Sequence, residues 1–106
     1  MLYEHRVYEP ADGKAEALHR RFHEHGLPAF ARHGIEVIGI FQPEPADGRL
    51  FYITRFADEA ARAAAWAAFR TDPEWQRVKA ETEADGPLMR GQTTTVLHPA
   101  AGLLLG

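Results

Sequence analysis

Apolar residues along this chain change period several times, and each change marks a new element. Leu2–Tyr8 interleaves aliphatic and aromatic residues with polar ones and runs into the turn cluster Pro10-Ala11-Asp12-Gly13, which predicts a strand. From Lys14 to about His33 the period lengthens. Leu18, Phe22, His25 and Ala29 recur at helical spacings, forming one face of a single helix closed by Gly34. Ile35–Gln42 predicts a second strand, stopped by Pro43 and Pro45; Asp47-Gly48 begins the return into a third, Leu50–Phe56. Asp58 then opens an alanine-rich helix whose heavy residues, Trp66 and Phe69, lie one turn apart. That helix ends near Thr71, because Asp72 is a good N-cap and Pro73 suits the first position of a new helix. The new helix runs to about Ala84, with Trp75, Val78 and Thr82 on one stripe, until Gly86-Pro87 forbids continuation. Leu88–Leu97, with Thr93-Thr94-Thr95-Val96, predicts the last strand.

The order is βαββαβ, and Tyr3-Glu4-His5-Arg6-Val7 returns in weakened form as Tyr52-Ile53-Thr54-Arg55-Phe56. Two interleaved βαβ units make a ferredoxin-like α+β fold: an antiparallel sheet with helices on one face. Residues 1–99 form that single domain, and 100–106 are a short apolar tail, frayed or laid on a neighbouring subunit. The second strand carries apolar side chains on both faces, Ile35, Val37 and Phe41 one way and Ile38 and Ile40 the other. Phe51 and Ile53 likewise oppose Leu50 and Phe56. Helices cover one face, and a second copy of the chain is the simplest cover for the other, giving a homodimer with sheets packed face to face, a dimeric α/β barrel.

Composition narrows the classes without choosing among them. The 106 residues suit one domain, and a formal net charge of -3 gives no basic footprint for nucleic acid. Without cysteine there is no disulfide, thiolate nucleophile or cysteine metal site. Met1-Leu2-Tyr3-Glu4-His5-Arg6 lacks the apolar run of a signal peptide and no stretch is long enough to span a bilayer, so a cytoplasmic protein with no membrane partner is expected.

Each candidate for chemistry has a plainer competing role. His25, on the Leu18–Phe22–Ala29 stripe beside Pro28, is expected to face the sheet as a general base or ligand donor; otherwise it is a core histidine bonded to a carbonyl. Arg6 and Arg55 occupy matching places in the repeat and are expected on one sheet face, with Glu4 and Tyr8 beside Arg6. They could clamp a carboxylate, enolate or phenolate, or form ion pairs with Glu4 or Glu36. Trp66, Phe69 and Trp75 could line a flat apolar site, and Tyr3, Tyr8 and Tyr52 could donate to a ligand oxygen, or all could be packing. His19 and His23 have a chelating spacing but no third ligand in view, so no metal is expected.

The chain resembles the NIPSNAP family, within the broader dimeric α/β-barrel group. The resemblance is carried by Tyr3-Glu4-His5-Arg6-Val7-Tyr8, Gly13-Lys14, His25-Gly26-Leu27-Pro28 and His33-Gly34-Ile35-Glu36-Val37. It continues through Arg55-Phe56-Ala57-Asp58, the block from Trp66 to Trp75, and Ala84-Asp85-Gly86-Pro87-Leu88. It covers Leu2 to about Pro99, with His5 standing where the family pattern has an aliphatic residue. The resemblance implies a ferredoxin-like fold and dimerisation. Other dimeric α/β barrels include cofactor-free monooxygenases, isomerases, lyases, haem enzymes and plain ligand binders, so the fold alone does not decide function.

Three functions stay open. The first is a cofactor-free dimer holding a small apolar or aromatic molecule between sheet and helices, near His25, Trp66 and Trp75, with Arg6, Tyr8, Tyr52 and Arg55 as further contacts. The second is a cofactor-independent monooxygenase or isomerase on an aromatic or polyketide-like substrate, with His25 or His5 as base and Arg6 or Tyr8 on the oxyanion. The third is an interaction module whose dimer surface is its whole function.

Overall fold

The two central strands are β1 (Leu2–Pro10), whose first three residues are all buried, and β3 (Leu50–Phe56), along which burial alternates strictly. In the computed structural model, which describes residues 1–102, they pair antiparallel with Glu4 opposite Thr54, Arg6 opposite Tyr52 and Tyr8 opposite Leu50. Directly opposed residues share a face. The even-numbered side chains of both strands therefore lie under the helices, and the odd-numbered ones point to the open side. β2 (Glu36–Phe41) and β4 (Met89–Leu97) complete an antiparallel sheet in the order β2-β3-β1-β4, the ferredoxin-like arrangement. Across its thin direction the molecule measures 19 Å, enough for one sheet and one helical layer.

The first helical segment departs from the single helix expected over Lys14–His33. It consists of α1 (Ala15–Arg21), a π-helical turn over Phe22–Gly26, and α2 (Leu27–Arg32). The Leu27 amide donates to the Phe22 carbonyl five residues back, the signature of an inserted residue. Pro28 explains the site of the insertion: it has no N–H for the Glu24 carbonyl, and its ring would crowd that carbonyl in an unbroken α-helix. Beyond the wide turn the buried face resumes at Gly26, Ala29 and Phe30 rather than at position 25. His25 is exposed, which corrects the expectation that it faces the sheet.

A second insertion shifts β2. Its register against β3 slips between Val37 and Gly39, so Val37 lies opposite Thr54 and Ile40 opposite Tyr52, both on the helical side. Phe41, opposite Phe51, turns to the open face. The bulge thus reverses the expected grouping of Val37 with Phe41 and of Ile38 with Ile40.

The repeat also fails to mark equivalent positions. Arg6 lies under the helices, whereas Arg55, opposite Tyr3, is on the open face and pairs with Glu36 of the neighbouring strand. The two arginines share no site.

Asp58 caps α3 (Glu59–Arg70) through the Ala61 amide at 2.8 Å. Asp72 caps α4 (Pro73–Thr82) through the Glu74 and Trp75 amides at 2.8 and 3.2 Å. Its other oxygen takes hydrogen bonds from His33 and Arg32, which hold the carboxyl well below the usual range and fasten α2 to the start of α4. Of the tail expected at 100–106, Ala100–Gly102 forms a short 3-10 turn, and 103–106 lie outside the described residues.

Candidate functional site

Between the helical side of the sheet and the helices lies a cavity of about 210 Å³. Its floor is β1, which presents Arg6 and Tyr8, with Gln92 of β4 beside them. Its walls are aromatic: Phe22 and Phe30 from the first helical segment, Trp66 and Phe69 from α3, Trp75 from α4. Neighbouring rings meet edge-on or tilted at 4.9–5.9 Å between centroids, as for Phe30 on Phe69 and Phe69 on Trp75. The π-helical turn places Gly26 on the same wall.

Arg6 is fixed before any ligand arrives. Glu4, fully buried two residues away on the same face, receives the Arg6 Nε and Nη2 at 3.0 and 3.1 Å. The same carboxylate accepts from Thr54 Oγ1 at 2.7 Å, Arg62 Nε at 2.6 Å and Trp66 Nε1 at 3.0 Å. Burial alone would raise its pKa, but the hydrogen bonds from Arg6, Arg62 and Thr54 outweigh that and hold it at about 2. The Arg6 guanidinium lies over the Trp66 ring, 3.8 Å from its centroid. One carboxylate thereby sets the geometry of a cation and an indole that both line the cavity.

Tyr8 and Tyr52 share a hydroxyl–hydroxyl hydrogen bond of 2.6 Å. Tyr52 has no exposed surface, and burial pushes its phenol well above the ordinary value. Tyr8 is raised too, again chiefly by burial. Both remain protonated at neutral pH, and Tyr8 is the one that reaches the cavity.

Of the residues singled out from sequence, Arg6, Tyr8, Trp66 and Trp75 meet in this cavity, with Tyr52 directly behind Tyr8. Arg55 is on the other sheet face. His25 sits in a separate surface cleft with Glu24 and Arg32. His5 packs against Phe51 on the open face, 5.6 Å between ring centroids. Neither candidate base therefore reaches the cavity. His19 Nε2 donates to the Gly48 carbonyl at 2.8 Å, His23 is exposed, and no metal-binding group of three is found among the described residues. Arg21, Arg70, Lys79 and Gln92 also line the cavity and were missed. Arg21 had a readable signal, since it stands one turn after Leu18 on the core-facing stripe.

Sheet order, one-sided helices and the cavity beneath them define a ferredoxin-like α+β domain. The NIPSNAP family model matches residues 3–102, and the chain belongs to the NIPSNAP family. Among solved structures it is similar to a NIPSNAP domain protein from Burkholderia xenovorans, with a TM-score of 0.81, 22% identity and coverage of 98% and 99% of the two chains. A NIPSNAP family protein from Agrobacterium tumefaciens gives a TM-score of 0.79 at 20% identity, over 92% of this chain and 91% of that one. A putative antibiotic biosynthesis monooxygenase from Nitrosomonas europaea shares the fold more distantly, with a TM-score of 0.63, 14% identity and coverage of 92% and 96%. No curated protein matches the chain.

Proposed function

We propose that this NIPSNAP-family protein is a cytoplasmic homodimer that holds a small molecule with a flat apolar body in the cavity between its sheet and helices. The observation that carries this reading is the cavity itself: about 210 Å³, walled by five aromatic residues and floored by a preset arginine and a tyrosine hydroxyl. Such a combination of apolar walls with a few fixed polar groups is the usual composition of a ligand site. Its volume is below the roughly 300–1,000 Å³ of sites for drug-sized ligands, which favours a body of about one ring.

The dimer is supported by the open sheet face. Val7, Phe51 and Ile53 stand there half-buried, and Phe41 beside them is 55% exposed. They form a continuous apolar patch across β2, β3 and β1, of the kind that soluble chains cover with a partner. The cytoplasm suits a cysteine-free chain that a reducing environment cannot weaken. A monooxygenase or isomerase working through His25 or His5 has less support, because both imidazoles lie away from the cavity.

Native mass spectrometry of the protein as purified tests the proposal. A dimer carrying a few hundred extra daltons per subunit is the expected result. A monomer at micromolar concentration would remove the dimer from it, and an empty dimer that binds none of a panel of single-ring compounds would remove the ligand.

A further inference from the structure

Resting on that reading of the cavity as a binding site, we infer that its ligand is an anion: a small carboxylic acid on a single aromatic ring, its charge taken up by the arginines and lysine around the cavity.

Four cationic side chains line the cavity, Arg6, Arg21, Arg70 and Lys79, and no carboxylate does among the described residues. This is not a by-product of composition, because the chain as a whole carries a formal net charge of -3. The local charge is also incompletely cancelled. Arg70 and Lys79, both exposed, have no ion-pair partner among the described residues, although arginines there make twelve cation–anion pairings, Arg6 and Arg21 of this cavity among them.

Arg21 adds a second observation. It is only 4% exposed, and its Nη1 alone is engaged, with Thr82 at 3.2 Å and Glu83 at 2.7 Å. A guanidinium has five N–H donors. No fully buried side-chain nitrogen or oxygen lacks a partner among the described residues, so the remaining donors of Arg21 open onto accessible space, and the cavity is the space it lines. Arg6 is similar: Glu4 occupies Nε and Nη2 and leaves Nη1 free. Tyr8 supplies a neutral hydroxyl. It shares a hydrogen bond with the core-sealed Tyr52 in which either oxygen can donate, and an anion in the cavity would favour the arrangement with Tyr52 as donor and the Tyr8 proton turned to the ligand.

An apolar or cationic occupant would cover these donors without answering them, which costs more than leaving them wet, and a neutral carbonyl would answer them only with the weaker, uncharged kind of bond. A carboxylate answers them with charge-assisted hydrogen bonds, bidentate where a guanidinium is presented edge-on. The aromatic walls and small volume account for the ring.

Both tryptophans of the chain, Trp66 and Trp75, line this cavity, so tryptophan emission reports its occupancy directly. Titration of the whole protein with benzoate and with its neutral isostere benzamide is the test. Benzoate is expected to bind at least tenfold more tightly, with affinity falling as salt rises from 20 to 300 mM. In the double variant Arg70→Met with Lys79→Met, both positions being exposed, benzoate is expected to fall to the level of benzamide. Arg77→Met, a surface change on the same helix outside the lining, should leave the benzoate preference in place. Equal affinity of benzamide and benzoate in the wild-type protein, or a preference unaffected by salt and by the double variant, would overturn the anion assignment and leave the cavity a neutral site. No emission change with either compound at 10 mM, nor any shift of the two indole N–H resonances, would defeat the binding reading itself.

Discussion

Glu4 shows how a single buried charge can organise a site it does not enter. Five donor atoms from four residues converge on its carboxylate, and two of those residues, Arg6 and Trp66, form part of the cavity lining. Removing the charge while keeping the shape, in Glu4→Gln, leaves Arg6 without a counter-ion and Arg62 with Glu59 alone. Breaking a buried pair in this way costs about 3–5 kcal/mol, and urea unfolding at neutral pH should show a loss of that order. Acid should do the same to the native chain. The folded carboxyl titrates at about 2 against an ordinary 4.5. Its contribution is therefore complete above pH 4.5 and disappears as pH falls toward 2, and it amounts to about 3 kcal/mol by linkage. Stability measured across that window should flatten markedly in Glu4→Gln. A variant as acid-sensitive as wild type would show that other carboxylates dominate. Alternation in the sequence does put Glu4, Arg6 and Tyr8 on one face. It does not reveal that Arg62 and Trp66, 58 and 62 residues further on, close the cluster, because partners that distant are chosen by the fold and leave no local spacing.

Two elements each carry one residue more than a regular period allows, and these are where the sequence misleads. Helical spacing makes Leu18, Phe22, His25 and Ala29 a convincing stripe, and the strand pattern makes Val37 and Phe41 a convincing pair. The π-helical turn and the β2 bulge break both. Pro28 is a visible local cause of the first, whereas nothing local in Val37-Ile38-Gly39 announces the second. Deleting His25 should restore an α-helical stripe through Leu18, Phe22, Gly26, Ala29 and Phe30, but it also places Pro28 inside an unbroken helix at a cost of about 3 kcal/mol. Chemical denaturation should find that deletion destabilised by about this amount, and Pro28→Ala should recover most of it in the same background. Failure of the pair to fold would mean that the wide turn is required for more than accommodating proline. Residues that line the cavity from this segment, Phe22, Gly26 and Phe30, owe their placement to that turn.

At the scale of the whole molecule, the ferredoxin-like topology and its one-sided helices are legible from period changes and punctuation: strands where apolar residues alternate, caps at Asp58 and Asp72, stops at Gly86-Pro87. The cavity was legible in its aromatic and β1 components, Arg6 included, and not in Arg70 and Lys79, which read from sequence as ordinary solvated positions. The open sheet face leads to the remaining prediction. Phe51→Lys places a charge in the middle of the apolar patch and should turn the proposed dimer into a monomer by analytical ultracentrifugation, with the monomer still folded by circular dichroism. An unchanged sedimentation coefficient would place any self-association elsewhere. The sheet order has a consequence for how the chain is born. β1 is synthesised first yet occupies a central place, with Leu2 opposite Phe56 on one flank and Tyr3 opposite Leu97 on the other. Until β3 and then β4 leave the ribosome, this strand, with the uncompensated charge of Glu4 on it, has nothing to pair with. Its assembly waits on contacts that span nearly the whole described chain, the slowest kind to form. The segment that anchors the cavity is thus made before both of the strands it pairs with, and is among the last secured.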